Sequence, residues 1–137
     1  MTVARTADEM IGGMAPVIQP GDFVFATLDE ARTGRLAALA VATCREEEGL
    51  SAILPVAVAR REGLGADQPM RCITLTVHSA LDGVGLTAAV AGALAGAGIP
   101  CNMVAGHHHD HVYVPSAMAD EAVAVLMALQ AGIASAG

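Results

Sequence analysis

The side chains best suited to chemistry sit in the second half of this chain. All five histidines lie there: His78, His107, His108, His109 and His111. Neutral imidazole is the commonest metal ligand and can take or release a proton near neutral pH. In an extended strand His109 and His111 point to the same side, and His78 can lie next to them. Three imidazoles suffice for a zinc or nickel site with an open position, so His78, His109 and His111 form a candidate metal set. His107 and His108 read as a solvated turn. A second constellation is the loop Ser79-Ala-Leu-Asp-Gly-Val-Gly85. Gly83 and Gly85 permit close backbone approach, and N–H groups at a following helix start can hold a carboxylate. Asp82, Asp110 or the run Glu46 to Glu48 could hold an ammonium, and together these groups suit an amino acid. The plainer alternative is a tight glycine turn capped by Asp82, with Glu46 to Glu48 as a solvated hairpin tip. Catalysis has little support. Ser79 and His78 are adjacent on a strand and point to opposite faces, so they make no triad. Gly83-Val-Gly85 is a weak dinucleotide match, with Ala88 at its third position.

These groups belong to a chain of 137 residues with net charge -7, 54% apolar and 2% aromatic residues, and no Trp. All seven basic residues are Arg. That length bounds one domain or two very small ones, and the apolar fraction excludes intrinsic disorder. An acidic chain with one Tyr and two Phe offers neither a basic stripe nor a stacking surface, which argues against nucleic acid. Val84 to Pro100 approaches the length of a bilayer span, but it is mostly Ala and Gly and reads as a buried helix. No membrane segment and no secretory signal are expected. Cys44, Cys72 and Cys101 are odd in number and far apart, consistent with reduced thiols in a cytoplasmic protein.

The elements that must position the site follow from periodicity. Helical spacing runs over Ala7 to Val17. Strands are expected at Phe23 to Leu28, Leu39 to Arg45 and Leu50 to Leu54, with a loop at Asp29 to Arg35. A short helix is expected over Val56 to Gly63, and Gly63 to Pro69 reads as a linker. Arg71 to His78 alternates as a strand. Leu86 to Ala97 is a helix of small residues stopped by Gly98 and Pro100. Cys101 to Gly106 and Val112 to Pro115 are strands flanking the His/Asp turn, and a final helix starts at Asp120. The tail from Gly132 carries no clear signal. Strand-helix-strand-strand-helix is a split β-α-β lacking its last strand, which must come from the first half, where three strands are candidates. This fold sets its first and third strands side by side. It therefore gathers His78, the glycine loop, Asn102 to Val104 and the His/Asp cluster at one edge.

The run Leu81-Asp-Gly-Val-Gly-Leu-Thr-Ala-Ala-Val-Ala-Gly-Ala-Leu-Ala-Gly-Ala-Gly-Ile-Pro-Cys-Asn-Met-Val104 resembles the signature of ACT domains. With Met70 to Ser79, His109 to Pro115 and the first-half segments Met14 to Val17, Pro20 to Ala26 and Arg45 to Leu50, the chain resembles small bacterial tandem ACT-domain proteins. The resemblance implies an α+β fold: ferredoxin-like split β-α-β units of ACT type, with antiparallel sheets and helices on one face. It implies two ACT-like units, at residues 7–68 and 69–132. The arrangement is also similar to the ACT pairs of cytosolic arginine sensors, whose hairpin carries acids where this chain has His107-His-His109. The implied function is regulatory binding of a small molecule, typically an amino acid, at a domain or subunit interface. No catalysis and no cofactor are expected, and the chain is expected to form a homo-oligomer such as a dimer. The implied ligand edge comprises His78, Ser79, Asp82, Gly83, Val84, Gly85, Asn102, Met103, Val104, His109 and Asp110. The alternatives are a divalent-metal protein using His78, His109 and His111, and a purely structural oligomerisation module.

Overall fold

The computed structural model describes residues 2–136, with side chains as far as residue 133. The chain forms two compact units. One is continuous, Gly21–Met70; the other is discontinuous and joins residues Met1–Pro20 to Arg71–Gly137. The sequence division at 68/69 separates these segments differently, because the first twenty residues pack with the second half.

The continuous unit opens with β2 (Phe23–Leu28), which follows a three-residue strand β1 (Pro16–Ile18) that belongs to the other unit. Asp29 then caps a helix α2 (Glu30–Leu36), its carboxylate accepting the Arg32 N–H at 2.9 Å. This segment was expected as a loop. The Asp cap and the buried anchor Leu36 outweigh Gly34, which costs only about 1 kcal/mol in a helix. A 3-10 turn at Ala37–Leu39 delays β3 to Ala42–Glu46, and β4 (Gly49–Pro55) returns antiparallel to it. β4 also pairs with β2, giving the order β3-β4-β2. α3 (Val56–Arg61) follows. Leu28, Leu36 and Leu54 form one small core, and Val24, Val56 and Ala59 another.

In the discontinuous unit, α1 (Ala7–Gly12) starts with a reciprocal cap. Thr6 Oγ1 accepts the Glu9 N–H, and Glu9 Oε1 accepts the Thr6 N–H. The helix is shorter than its periodicity suggested. Gly12 and Gly13 end it, Ala15 turns left-handed at φ 39°, and Pro16 begins β1. The α5 side chain Gln130 holds this reversal, accepting the Ala15 N–H at 3.1 Å and donating to the Gly12 carbonyl at 3.0 Å. β1 pairs antiparallel with β5 (Met70–Leu75). It is the missing fourth strand, supplied by a segment read as helix rather than by any of the three first-half candidates.

α4 (Leu86–Gly96), β6 (Asn102–Ala105), β7 (Asp110–Pro115) and α5 (Ala119–Ala136) complete the unit. β6 and β7 pair antiparallel, and the strand order is β1-β5-β7-β6. Ile73, Leu75, Val112 and Val114 present one buried face to Met10, Met14, Val90, Leu94 and Leu126. The stretch Ser116–Ile133 is apolar enough for a bilayer span by composition. Ala122 and Leu126 of this stretch are fully buried and turn one side of it into the core. Its start at Ala119 lies one residue before the Asp120 expected from sequence, and it continues through the uncalled tail to Ala136.

Candidate functional site

β5 ends at Leu75, three residues short of the strand expected to reach His78. The chain continues as an irregular segment tied to the N-terminal residues. Thr76 N–H donates to the Met14 carbonyl at 2.7 Å and Ala4 N–H to the His78 carbonyl at 2.8 Å. Ala80 N–H donates to the Ala4 carbonyl at 2.9 Å. These bonds carry Ser79 to the start of β7, where its hydroxyl donates to Asp110 Oδ2 at 3.1 Å. The β6–β7 turn is closed by the Gly106 N–H donating to the His109 carbonyl at 2.8 Å.

The loop after Ser79 is shaped by two glycines. Gly85 sits at φ 118° as the N-cap of α4, and a Cβ there would lie 2.8 Å from Ala7 Cβ. A Cβ at Gly83 would lie 2.9 Å from Met10 Sδ. The loop therefore lies directly on α1, and at Gly85 both the positive φ and the approach to Ala7 require glycine. Gly85 supplies no side-chain cap, and the first turn of α4 carries no acidic residue. Its first N–H groups thus have neither an intrahelical nor a side-chain acceptor.

The loop, the start of α4 and the hairpin line an open cavity of about 500 Å³ within the discontinuous unit. Of the residues expected at this edge, Ser79, Gly83, Val84, Gly85 and Asp110 line it. His78, Asp82, Asn102, Met103, Val104 and His109 do not. Asp82 is solvent-exposed and ion-paired to Arg5 at 3.3 Å. Asn102, Met103 and Val104 pair with Tyr113, Val112 and His111 along β6, and the next two residues, Ala105 and Gly106, reach the cavity instead. The wall sequence reading missed most completely is Met10, which comes from α1. The apolar spacing of α1 signalled burial but not what it is buried beside.

The histidines divide between two places. His111 Nδ1 lies 3.0 Å from Thr74 Oγ1 on β5, away from His78. His78 Nε2 lies 3.2 Å from His108 Nδ1, with ring centroids 5.0 Å apart; the His78–His109 centroid distance is 6.2 Å. His108, expected only as solvated turn, is thus the partner of His78. His78, His109 and His111 do not converge, and among the described residues no group of three or more His, Cys, Asp or Glu is arranged for a metal ion. His78 Nδ1 is buried and has no hydrogen-bond partner. The polar contact of His78 is the one that Nε2 makes with His108.

Partial burial, then the neighbouring His108 and His109, hold the His78 imidazole below its ordinary value. Burial also lowers His111, aided by His109 and opposed by Asp110. For both, the folded state binds protons more weakly than the unfolded chain. Their stabilisation is complete above the unfolded value of 6.5 and is lost as pH falls below it through the lowered folded values. The carboxylates Glu9 and Glu62 are held low by the Thr6 hydroxyl and the Arg35 guanidinium, so they act in the same direction but only below about 4.5. The expected outcome is a lower melting temperature at pH 5.5 than at pH 7.5. The gap should narrow in the double variant His78→Gln, His111→Gln, and differential scanning calorimetry at the two pH values checks it.

Comparison with known proteins covers nearly all of this chain. Profiles of the ACT domain match residues 5–71 and residues 68–128. A crystal structure of a Vibrio cholerae protein of unknown function is 42% identical, with 85% of this chain and 89% of that one covered and a TM-score of 0.78. A protein from Agrobacterium tumefaciens is 21% identical over 84% of this chain and 87% of its own, with a TM-score of 0.64. The regulatory subunit of aspartate kinase from Thermus flavus shares the fold at 9% identity and a TM-score of 0.59, covering 83% of this chain and 95% of its own. No curated protein matches.

Proposed function

This chain belongs to the ACT-domain family, and from that premise we propose that its cavity binds an amino acid to regulate association with another protein or with itself. ACT domains are regulatory modules that bind small molecules. The observation that carries the reading is the pairing of opposite ends in one cavity. The uncapped start of α4 lies at one wall and the Asp110 carboxylate at another. Helix N–H groups and the helix dipole suit an α-carboxylate. Asp110, with one oxygen held by Ser79, suits an α-ammonium through a charge-assisted hydrogen bond.

Binding without catalysis is the reading we adopt. The Ser79 hydroxyl donates to the Asp110 carboxylate, a weaker base than the imidazole that commonly activates a serine nucleophile. Leu81 and Val84, 70% and 81% exposed at the cavity rim, support a homo-oligomer in which a second subunit covers the site. The exposed, unpaired Cys44 supports a reducing, cytoplasmic setting.

A thermal-shift panel of the twenty amino acids tests the proposal. At a hundredfold excess over Kd, a ligand of the native state adds about 2.7 kcal/mol, which for a chain of this size raises Tm by roughly 5–10 °C. No shift with any of the twenty would overturn the amino-acid reading.

A further inference from the structure

We propose that the cavity selects a neutral amino acid with an apolar side chain, and that Met10 of α1 sets how large that side chain can be. The inference rests on the cavity being an amino-acid site and goes further by naming the class of amino acid. Among the described residues that line the cavity, Asp110 is the one ionisable group. An α-amino acid already brings one ammonium and one carboxylate. Asp110 answers the first and the N–H groups of α4 the second, which leaves no fixed charge of either sign for a charged side chain. A basic side chain would enter without a second carboxylate, and an acidic one without a cation. Moving a charge from water onto these walls without a counter-charge is disfavoured. Asp82, the nearest other acid in the loop, is exposed, engaged by Arg5 and outside the lining.

The remaining wall is apolar. Met10, Leu86, Ala88 and Ala105 present methyl groups and a thioether, with Thr87 the one hydroxyl besides Ser79. Met10 is 1% exposed. Its thioether lies against the loop, since a Cβ built on Gly83 would meet Sδ at 2.9 Å and Cε at 3.0 Å. It is also the longest unbranched side chain in the lining, and its end lies against the loop at Gly83. Shortening it removes side-chain volume from the wall beneath Gly83. Met10 also belongs to the buried core with Ile73, Leu75, Val90 and Leu126, so its truncation is read beside a volume-conserving variant.

Isothermal titration of the full-length chain with L-leucine, L-methionine, L-phenylalanine, L-aspartate and L-arginine tests this. The expected result is binding of the apolar amino acids, with aspartate and arginine at least about tenfold weaker. In Met10→Ala the ratio of phenylalanine to leucine affinity should rise by about tenfold or more, since each methylene in an apolar pocket discriminates on that scale. Met10→Leu reaches one atom less far than methionine and conserves the core volume. It should shift the ratio in the same direction by less, and it serves where the alanine variant is too unstable to titrate. Arginine or aspartate binding as tightly as leucine, and lost in Asp110→Asn, would leave the amino-acid site standing and overturn the class. An unchanged phenylalanine-to-leucine ratio in both Met10 variants would overturn the role of Met10. Failure of every amino acid in the twenty-member panel would instead remove the reading beneath both.

Discussion

Replacing Gly85 with alanine is expected to lower the melting temperature sharply and to abolish amino-acid binding. Gly85 occupies φ 118°, a region that costs an L-residue about 1–3 kcal/mol. The added Cβ would also lie 2.8 Å from Ala7 Cβ, and such overpacking costs about 1–3 kcal/mol more. The loop would have to lift from α1, moving the first N–H groups of α4 that face the cavity. Gly92→Ala in the same helix is the control. Gly92 is exposed, helical and has open space around its Cβ position. Alanine there should stabilise by about 0.5–1 kcal/mol. Urea titration of both variants checks the pair: a lower midpoint for Gly85→Ala and a higher one for Gly92→Ala, at unchanged m. Equal midpoints for Gly85→Ala and the wild type would rule out this loop conformation.

Asp110→Asn should leave the fold intact while weakening amino-acid binding by roughly 10–100-fold, since a hydrogen bond to a charged group contributes about 1.5–3 kcal/mol. Asparagine keeps an oxygen to accept the Ser79 hydroxyl, so the contact between the irregular segment after β5 and β7 survives. Only the negative charge is lost. The apo melting temperature should stay close to wild type, and calorimetric titration with whichever amino acid shifts the wild-type melting temperature supplies the affinities. Binding unchanged in the variant would mean that Asp110 does not hold the ammonium.

The second half was the more legible in sequence. Its alternation, its small-residue helix and its Gly/Pro stops indicate β5, α4, β6 and β7, although β5 ends three residues and β7 starts two residues earlier than expected. The split β-α-β order brings the segment after β5 to the start of β7. What failed was local chemistry that competes with periodicity. Met10, Met14 and Val17 share a helical spacing, yet the Gly12-Gly13 pair and Pro16 put Met10 in α1, Met14 in the connecting turn and Val17 in β1. Asp29 was read as loop although it caps α2. Within the site, the glycine loop and Asp110 were legible because their residue types have few other uses. Met10 was not, because a methionine on a helix gives no sign of which cavity it closes. Asp82 misled for the opposite reason: its charge suggested a ligand contact, but its exposed pairing with Arg5, which contributes little to stability, turns it to solvent. The histidine pattern of 109 and 111 did not converge on His78, because His111 lies in β7 and bonds Thr74 while the turn offers His108 instead.

The division of one unit between the first twenty residues and the last sixty-seven has a consequence for the order of assembly. β1 must wait for β5, more than fifty residues later, before its backbone has a partner. The reversal at Ala15 must wait for Gln130. During synthesis the continuous unit emerges whole and can fold from near-neighbour contacts, while α1 and β1 stay exposed until α5 leaves the ribosome. Contacts of such sequence separation form slowly, because the loop-closure entropy comes before the contact energy. An amino acid captured between Met10 and Asp110 would be held by the last part of the molecule to close.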